Sequence, residues 1–462
     1  MIPGDLSCFT IPDDDEEIRR RISVSPEAIA NLAGYGIAEG TRLIEVRLKA
    51  VYTATPQTIR LTRELCGIGL AYLRATYSDA PAYAAKCNID NLVPTEPRSA
   101  TALIGLGGSG KSQLLRAVGR LVIPIGVEIH CPRLPVYPVQ AMWILTMVTG
   151  KSLSNLLEPF VPNGGSGNAV LKPAAKRAFT NYIGLNALDE SQFITATQEG
   201  HAKAAELLMR LTYIGPPFVF VANFTMINKL EKRPQQERDR LLSNVQVLHP
   251  EEHGSKAFEN ILSDQLVVLS EAVSSDLAIS AKNHAHDIHN YTYGINRKSA
   301  ILLNHGWRIS RERGSSTLMM DDVRSAYTSD RFRSHRDEVE ILKRQSNNRR
   351  MEREDLWCGF APPPSLPPPL PPSPTTNADA TTSSNVISVP ELQKEKEKRI
   401  ADEMTRATMS KSDREAYDSA TNRDSKLARP KARVVRLSKE DRSLAALQAS
   451  GAEMLEKFSP RP

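Results

Sequence analysis

Cysteine is scarce and follows no pattern. Among 462 residues there are five, Cys8, Cys66, Cys87, Cys131 and Cys358, odd in number and without a C-x-x-C pair. A disulfide framework or a zinc site is therefore not expected, and a reducing cytoplasm fits best. A basic, apolar start is also lacking. Asp13 to Glu17 is an unbroken acidic run, the opposite of a secretory leader. No apolar run is long enough to cross a bilayer, so a cytoplasmic protein with no membrane partner is expected. Charge of one sign does not dominate either. The net +6 is a mild basic excess, compatible with an acidic polymer as partner without demanding one. The apolar share of 40% is slightly low for so long a chain, which suggests that part of it stays unpacked. The length leaves room for two or three domains.

What is present is concentrated in one stretch. Thr101 to Leu106 is mostly apolar, and Gly105-Leu106-Gly107-Gly108-Ser109-Gly110-Lys111-Ser112 then fits G-x-x-x-x-G-K-[ST] at every required position. Glycines let a backbone close around a phosphate, where side chains would clash and φ is often positive. Lys111 can reach the β- and γ-phosphates, and the Ser112 hydroxyl can join a Mg²⁺ shell. Leu114, Leu115, Val118, Leu121 and Val122 follow with the spacing of one helix face. A helix start aimed at the phosphates adds its free N–H groups and dipole. Gly105, Gly107, Gly108, Ser109, Gly110, Lys111, Ser112 and Gln113 are thus candidate nucleotide-binding residues, against the alternative of a chance Gly/Ser turn.

From residue 100 to about 225, short apolar runs alternate with helical ones, the signature of a mainly parallel α/β sheet. Ala102–Leu106, Gly126–Cys131, Tyr182–Leu188 and Phe218–Ala222 are the candidate strands; Gln140–Val148 is rich in large apolar residues. The loop Pro162–Asn168 lacks a Lys-Ser ending and reads as a connector. Residues 1–54 read as an irregular extension in which Leu43–Leu48 is a strand or an oligomerisation arm. Thr55–Pro56 opens a helix running to Ala82, and residues 255–350 look all-helical. Ala361–Pro374 is a polyproline spacer, and beyond it a Thr/Ser-rich and then charge-dense tail is expected to be disordered.

Five further positions carry chemistry. Tyr182–Leu188 ends in Asp189 and Glu190, one acid to hold Mg²⁺ and one to polarise the attacking water. With Ser112, Asp189 is the candidate metal ligand. Asn223 follows Phe218–Ala222 and could orient water from a strand tip, or simply turn the strand into a loop. Arg238 or Arg240, the latter preferred, could reach a phosphate in a neighbouring subunit; the alternative is a solvated helix end. Arg297 opens a later helix and could touch the nucleotide from a lid, or, like Arg308, Arg311 and Arg313 after it, simply face solvent.

Taken together, these residues resemble an AAA+ ATPase. The Thr55-Pro-Gln-Thr helix, Ala187-Leu-Asp-Glu-Ser-Gln, Val221-Ala-Asn-Phe, and Arg238-Asp-Arg-Leu-Leu-Ser leading to Leu248-His-Pro resemble the TnsC/TniB-type transposition regulators over roughly residues 50–345. The resemblance implies a P-loop core of parallel sheet flanked by helices, a helical lid, and ATP with Mg²⁺ as cofactors. It implies self-association into a ring or filament on duplex DNA without sequence preference, linking a target-selector protein to transposase subunits until hydrolysis releases it. It assigns Glu190, Asn223 and Arg240 to catalysis, and DNA contacts to Lys151, Lys172, Lys176 and Arg177, which otherwise read as solvent-facing. The implied layout is an N-terminal extension (1–54), the ATPase core (55–250), the lid (251–355), a Pro/Ser/Thr-rich linker (356–388) and a partner-binding tail (389–462). Two rivals stand beside it: a replication-initiator or clamp-loader-like ATPase, and a nucleotide-binding scaffold without activity.

Overall fold

In the computed structural model the described residues are 4–88, 99–124, 126–131, 134–148, 152–191, 200–270 and 279–360. The expectations for Lys151 and for the tail beyond 360 lie outside them.

Five parallel strands form the central sheet: β1 (Thr101–Gly105), then, beyond a small ribbon of β2 (Glu128–Ile129) and β3 (Tyr137–Pro138), β4 (Met142–Thr146), β5 (Leu185–Asp189), β6 (Phe218–Ala222) and β7 (Asn244–Leu248). Their order across the sheet is β4-β5-β6-β1-β7, and every pairing within it is parallel. The C-terminal ends of the strands consequently share one edge. Successive residues of a strand face opposite sides. Phe218, Phe220 and Ala222 enter one core layer, with Leu188, Trp143 and the helices Leu171–Thr180 and Gly200–Leu211. Val219 and Val221 enter the other, with Leu61, Leu65, Leu114 and Val118 from the helices Pro56–Tyr77 and Lys111–Val122. This is the expected parallel sheet flanked by helices.

Several local expectations are corrected. Within Gly126–Cys131 only Glu128–Ile129 is a strand, and it pairs antiparallel with Tyr137–Pro138 outside the main sheet. The second strand of the core is instead β4, inside the apolar stretch Gln140–Val148, and the fifth is β7. The stretch Tyr182–Leu188 becomes a strand only from Leu185, because Tyr182 holds φ +55. Residues 4–54 are not irregular throughout: they carry the helices Asp15–Ile22 and Ile37–Ala50 and a short 3₁₀ turn, Leu32–Gly34. Leu43–Leu48 lies inside a helix, Ile37–Ala50, whose buried Gly40, Ile44 and Leu48 recur at four-residue spacing. That helix joins a separate core with Phe258, Leu262, Leu302, Leu303 and Trp307 of the all-helical region. A Cβ on Gly40 would lie 2.2 Å from the Trp307 ring, so only glycine allows this approach.

The helix expected over Thr55–Ala82 starts where expected and ends sooner. Thr55 and Thr58 cap each other, with Thr58 N donating to Thr55 Oγ1 at 3.3 Å and Thr55 N to Thr58 Oγ1 at 2.8 Å. It stops at Tyr77, and a second helix, Ala80–Cys87, begins with a proline in its first turn.

Candidate functional site

The loop after β1 is shaped by its glycines. Gly108 and Gly110 hold φ +85 and +104, left-handed values that side chains resist. Lys111 opens the helix behind them, and its ammonium turns back to donate to Gly105 O and Leu106 O, each at 2.8 Å. Burial pushes the Lys111 ammonium down to about 8. Glu190 and Asp189 oppose that shift and Arg297 adds to it, so all three charges lie close enough to be felt.

Two strands away, β5 ends in Asp189, which is buried. Its Oδ1 accepts from Ser112 Oγ and from Glu190 N, both at 2.9 Å. A hydroxyl and a carboxylate joined in this way form a compact pair of hard oxygen donors. Mg²⁺ suits such a pair, since it commonly takes one or two protein oxygens and fills its octahedron with phosphate and water. Glu190 leaves the strand at φ +55, a conformation that costs a non-glycine residue roughly 1–2 kcal/mol. The turn carries Glu190 away from the sheet directly after Asp189.

Between β5 and β1 lies β6, and Asn223 follows it. Its Oδ1 caps the helix Phe224–Glu231 by accepting from Met226 N at 3.0 Å. The oxygen is thus taken up by the helix cap, and the amide nitrogen is the half that could meet water. Behind it, Ser191 Oγ donates to Val221 O, tying the exit of β5 to β6.

A helix from the all-helical region completes the group. Asn296–Glu312 begins behind Ile295, whose side chain offers no cap. The loop supplies one: Arg297 N donates to Gly108 O at 3.2 Å. A Cβ on Gly108 would sit 2.7 Å from Arg297 Cβ and 3.4 Å from Ile295 Cγ2, so the two elements touch backbone to side chain. Gly294, at φ +66, presses on the segment leaving β7, where a Cβ would come 2.1 Å from Glu251 O. Ile295 and Asn296 were not singled out as site residues from sequence. The only local signal for them is the turn glycine before the helix.

The fit to a nucleotide is supported by two orphaned polar atoms. Ser109 Oγ and Asn296 Oδ1 are buried without a hydrogen-bond partner, one in the loop and one at the start of the helix packed on it. Buried polar atoms normally have partners, and a polar ligand with its water would supply them.

Other candidates lie apart. Gln113 turns its side chain to Lys49 O at 2.8 Å, on the helix Ile37–Ala50. Arg238 and Arg240 are exposed on Gln235–Leu241. Arg240 O accepts from Ala100 N at 2.8 Å, just before β1 begins. That places Arg240 at the opposite end of β1 from Gly105, about 16 Å along a strand of this length, which no arginine side chain spans. Lys172 and Arg177 are exposed on Leu171–Thr180, whereas Lys176 donates to Cys87 O.

No protein-family model and no curated protein matches this sequence. Among solved structures, the chain is similar to Aeropyrum pernix ORC2 in its ADPNP–ADP complexes, with 15% identity, 62% of this chain and 74% of that one covered, and a TM-score of 0.38. It is similar to Aeropyrum pernix ORC1 in complex with DNA, with 16% identity, coverage of 64% and 69%, and a TM-score of 0.37. The Thermotoga maritima RuvB branch-migration motor gives 11%, coverage of 61% and 76%, and 0.29. At these scores none of the likenesses bears on what this chain does.

Among the described residues no helix is long and apolar enough to cross a membrane.

Proposed function

We propose that this chain is an AAA+-type ATPase that self-associates, with Arg240 of one copy completing the site of the next, and that it acts as an ATP-dependent switch on duplex DNA in transposition. The observation that carries the ATPase part is the Ser112 Oγ–Asp189 Oδ1 bond at 2.9 Å. It joins the phosphate-type loop to an acidic strand end, and the charges of Glu190 and Arg297 are both felt at Lys111 of that loop.

Bound MgATP would supply the scissile γ-phosphoryl group and a divalent charge to neutralise its oxygens. The loop N–H groups and Lys111 would hold phosphates; Ser112 and Asp189 would hold the metal. Glu190 would accept a proton from water, and the Asn223 amide would orient that water. Such positioned proton transfer contributes on the order of 10²–10⁴ in rate. The distance between Arg240 and its own loop supports a role in trans, where an arginine finger is worth about 10³–10⁵. The transposition role rests on the sequence resemblance, in which the selector and the transposase are the implied partners.

The test is Glu190→Gln. The variant is expected to bind ATP, to hydrolyse it at least about 100-fold more slowly, and to stay assembled on DNA. Hydrolysis at the wild-type rate would remove Glu190 as the base.

A further inference from the structure

The residue after Arg297 is an oddity. Lys298 is a lysine with a side chain only 5% exposed, buried in the all-helical region. Lysines are almost never so deeply buried unless paired, and this one is. Its Nζ lies 2.5 Å from Glu338 Oε2 and donates to His335 O at 3.4 Å, both on the helix Arg333–Asn348. Burial pulls the Lys298 ammonium below its ordinary value, and Glu338 opposes the shift.

A buried ion pair is a poor way to gain stability, since an apolar pair of the same volume often does as well or better. What it does supply is a fixed geometry. Arg297 and Lys298 are consecutive in a helix of 3.6 residues per turn, so they point about 100° apart. Arg297 meets Gly108, and Lys298 meets Glu338. A rotation of the helix start that moved Arg297 would drag the Lys298 ammonium off its carboxylate. On the other side, Gln265 Nε2 donates to Asn296 O at 3.1 Å and closes the same turn.

We propose that Lys298 and Glu338 are positioning residues which set the rotation of the lid helix and thereby aim the Arg297 guanidinium at the phosphates of a bound nucleotide. This inference deepens the ATPase reading and rests on it. Neither residue touches the nucleotide; both act through Arg297.

The test titrates the full chain with a fluorescent ATP analogue. Arg297→Ala should weaken binding by at least about tenfold, since it removes a charge-assisted hydrogen bond to a phosphate. Lys298→Met and the milder Glu338→Gln, which keeps an acceptor for the ammonium, should each reproduce a substantial part of that loss. In the Arg297→Ala background neither should weaken binding further, because the residue they position is gone. A purely structural role would instead add the same loss in both backgrounds, and that additivity overturns the proposal. Normal affinity in both single variants overturns it as well. If the wild-type chain binds no ATP analogue, the ATPase reading falls and takes the inference with it; if wild type binds and Arg297→Ala matters, only the positioning claim is at stake.

Discussion

His289 should make the all-helical region acid-sensitive by an amount that can be worked out. It is 3% exposed in the helix Ala281–Thr292, and its Nε2 bonds Glu251 O at 2.9 Å. Its Nδ1 is buried with no partner, so a second proton there would be an unsatisfied charge. His253 and His286 stand nearby, with His253 at ring separations of 5.0 Å from His289 and 4.3 Å from His286. Burial pushes the His289 imidazole down to about 4, against the pull of the Glu251 carbonyl. The unfolded chain takes up its proton near the ordinary value of about 6.5. The stability from keeping His289 neutral is therefore complete above that value, falls as pH drops through it towards 4, and is flat below. Between pH 7.5 and 5 the two titrations differ by about 2 kcal/mol. His289→Gln keeps an N–H donor and does not titrate. Chemical denaturation at both pH values should show wild type losing about 2 kcal/mol more than this variant on acidification. The depressed His249, His253, His305 and His335 remain in both proteins and cancel. Equal losses in the two proteins would show that His289 is not held neutral by the fold.

Gly108→Ala places a Cβ in a left-handed position and 2.7 Å from Arg297 Cβ. It should undo the cap on the lid helix and weaken nucleotide binding by at least about tenfold, read by the same fluorescent titration; unchanged affinity would mean that the lid does not rest on the loop. Lys111→Ala should lose nucleotide binding, and Arg240→Ala should bind nucleotide but hydrolyse poorly. Mixed together, these two should recover phosphate release, because a complete site then forms between a Lys111→Ala copy and an Arg240→Ala copy; a mixture no more active than its parts would exclude catalysis in trans by Arg240.

The centre of the fold was readable because its signals are local. Thr101–Ser112 states its strand, loop and helix in consecutive residues, and Phe218–Ala222 is apolar throughout because it is buried on both faces. β7 escaped notice because Asn244-Val-Gln-Val-Leu is an edge strand, half polar and only partly buried. Leu43–Leu48 misled because apolar residues at 43, 44, 46 and 48 satisfy both periods, and only Gly40 against Trp307 decides for the helix. The lid's rest on Gly108 and the pairing of Lys298 with Glu338 join residues far apart in the chain. Nothing in either neighbourhood announces them. Among the DNA candidates, Lys176 illustrates the same limit: its partner, Cys87 O, lies 89 residues away.

Nucleotide-controlled assembly on DNA is the property on which the proposed function stands. Electron microscopy of the full chain with duplex DNA, under a non-hydrolysable ATP analogue with Mg²⁺ and under ADP, measures it. Ordered rings or filaments are expected on DNA with the analogue, and their loss with ADP. A monomer indifferent to nucleotide and to DNA would rule such a switch out.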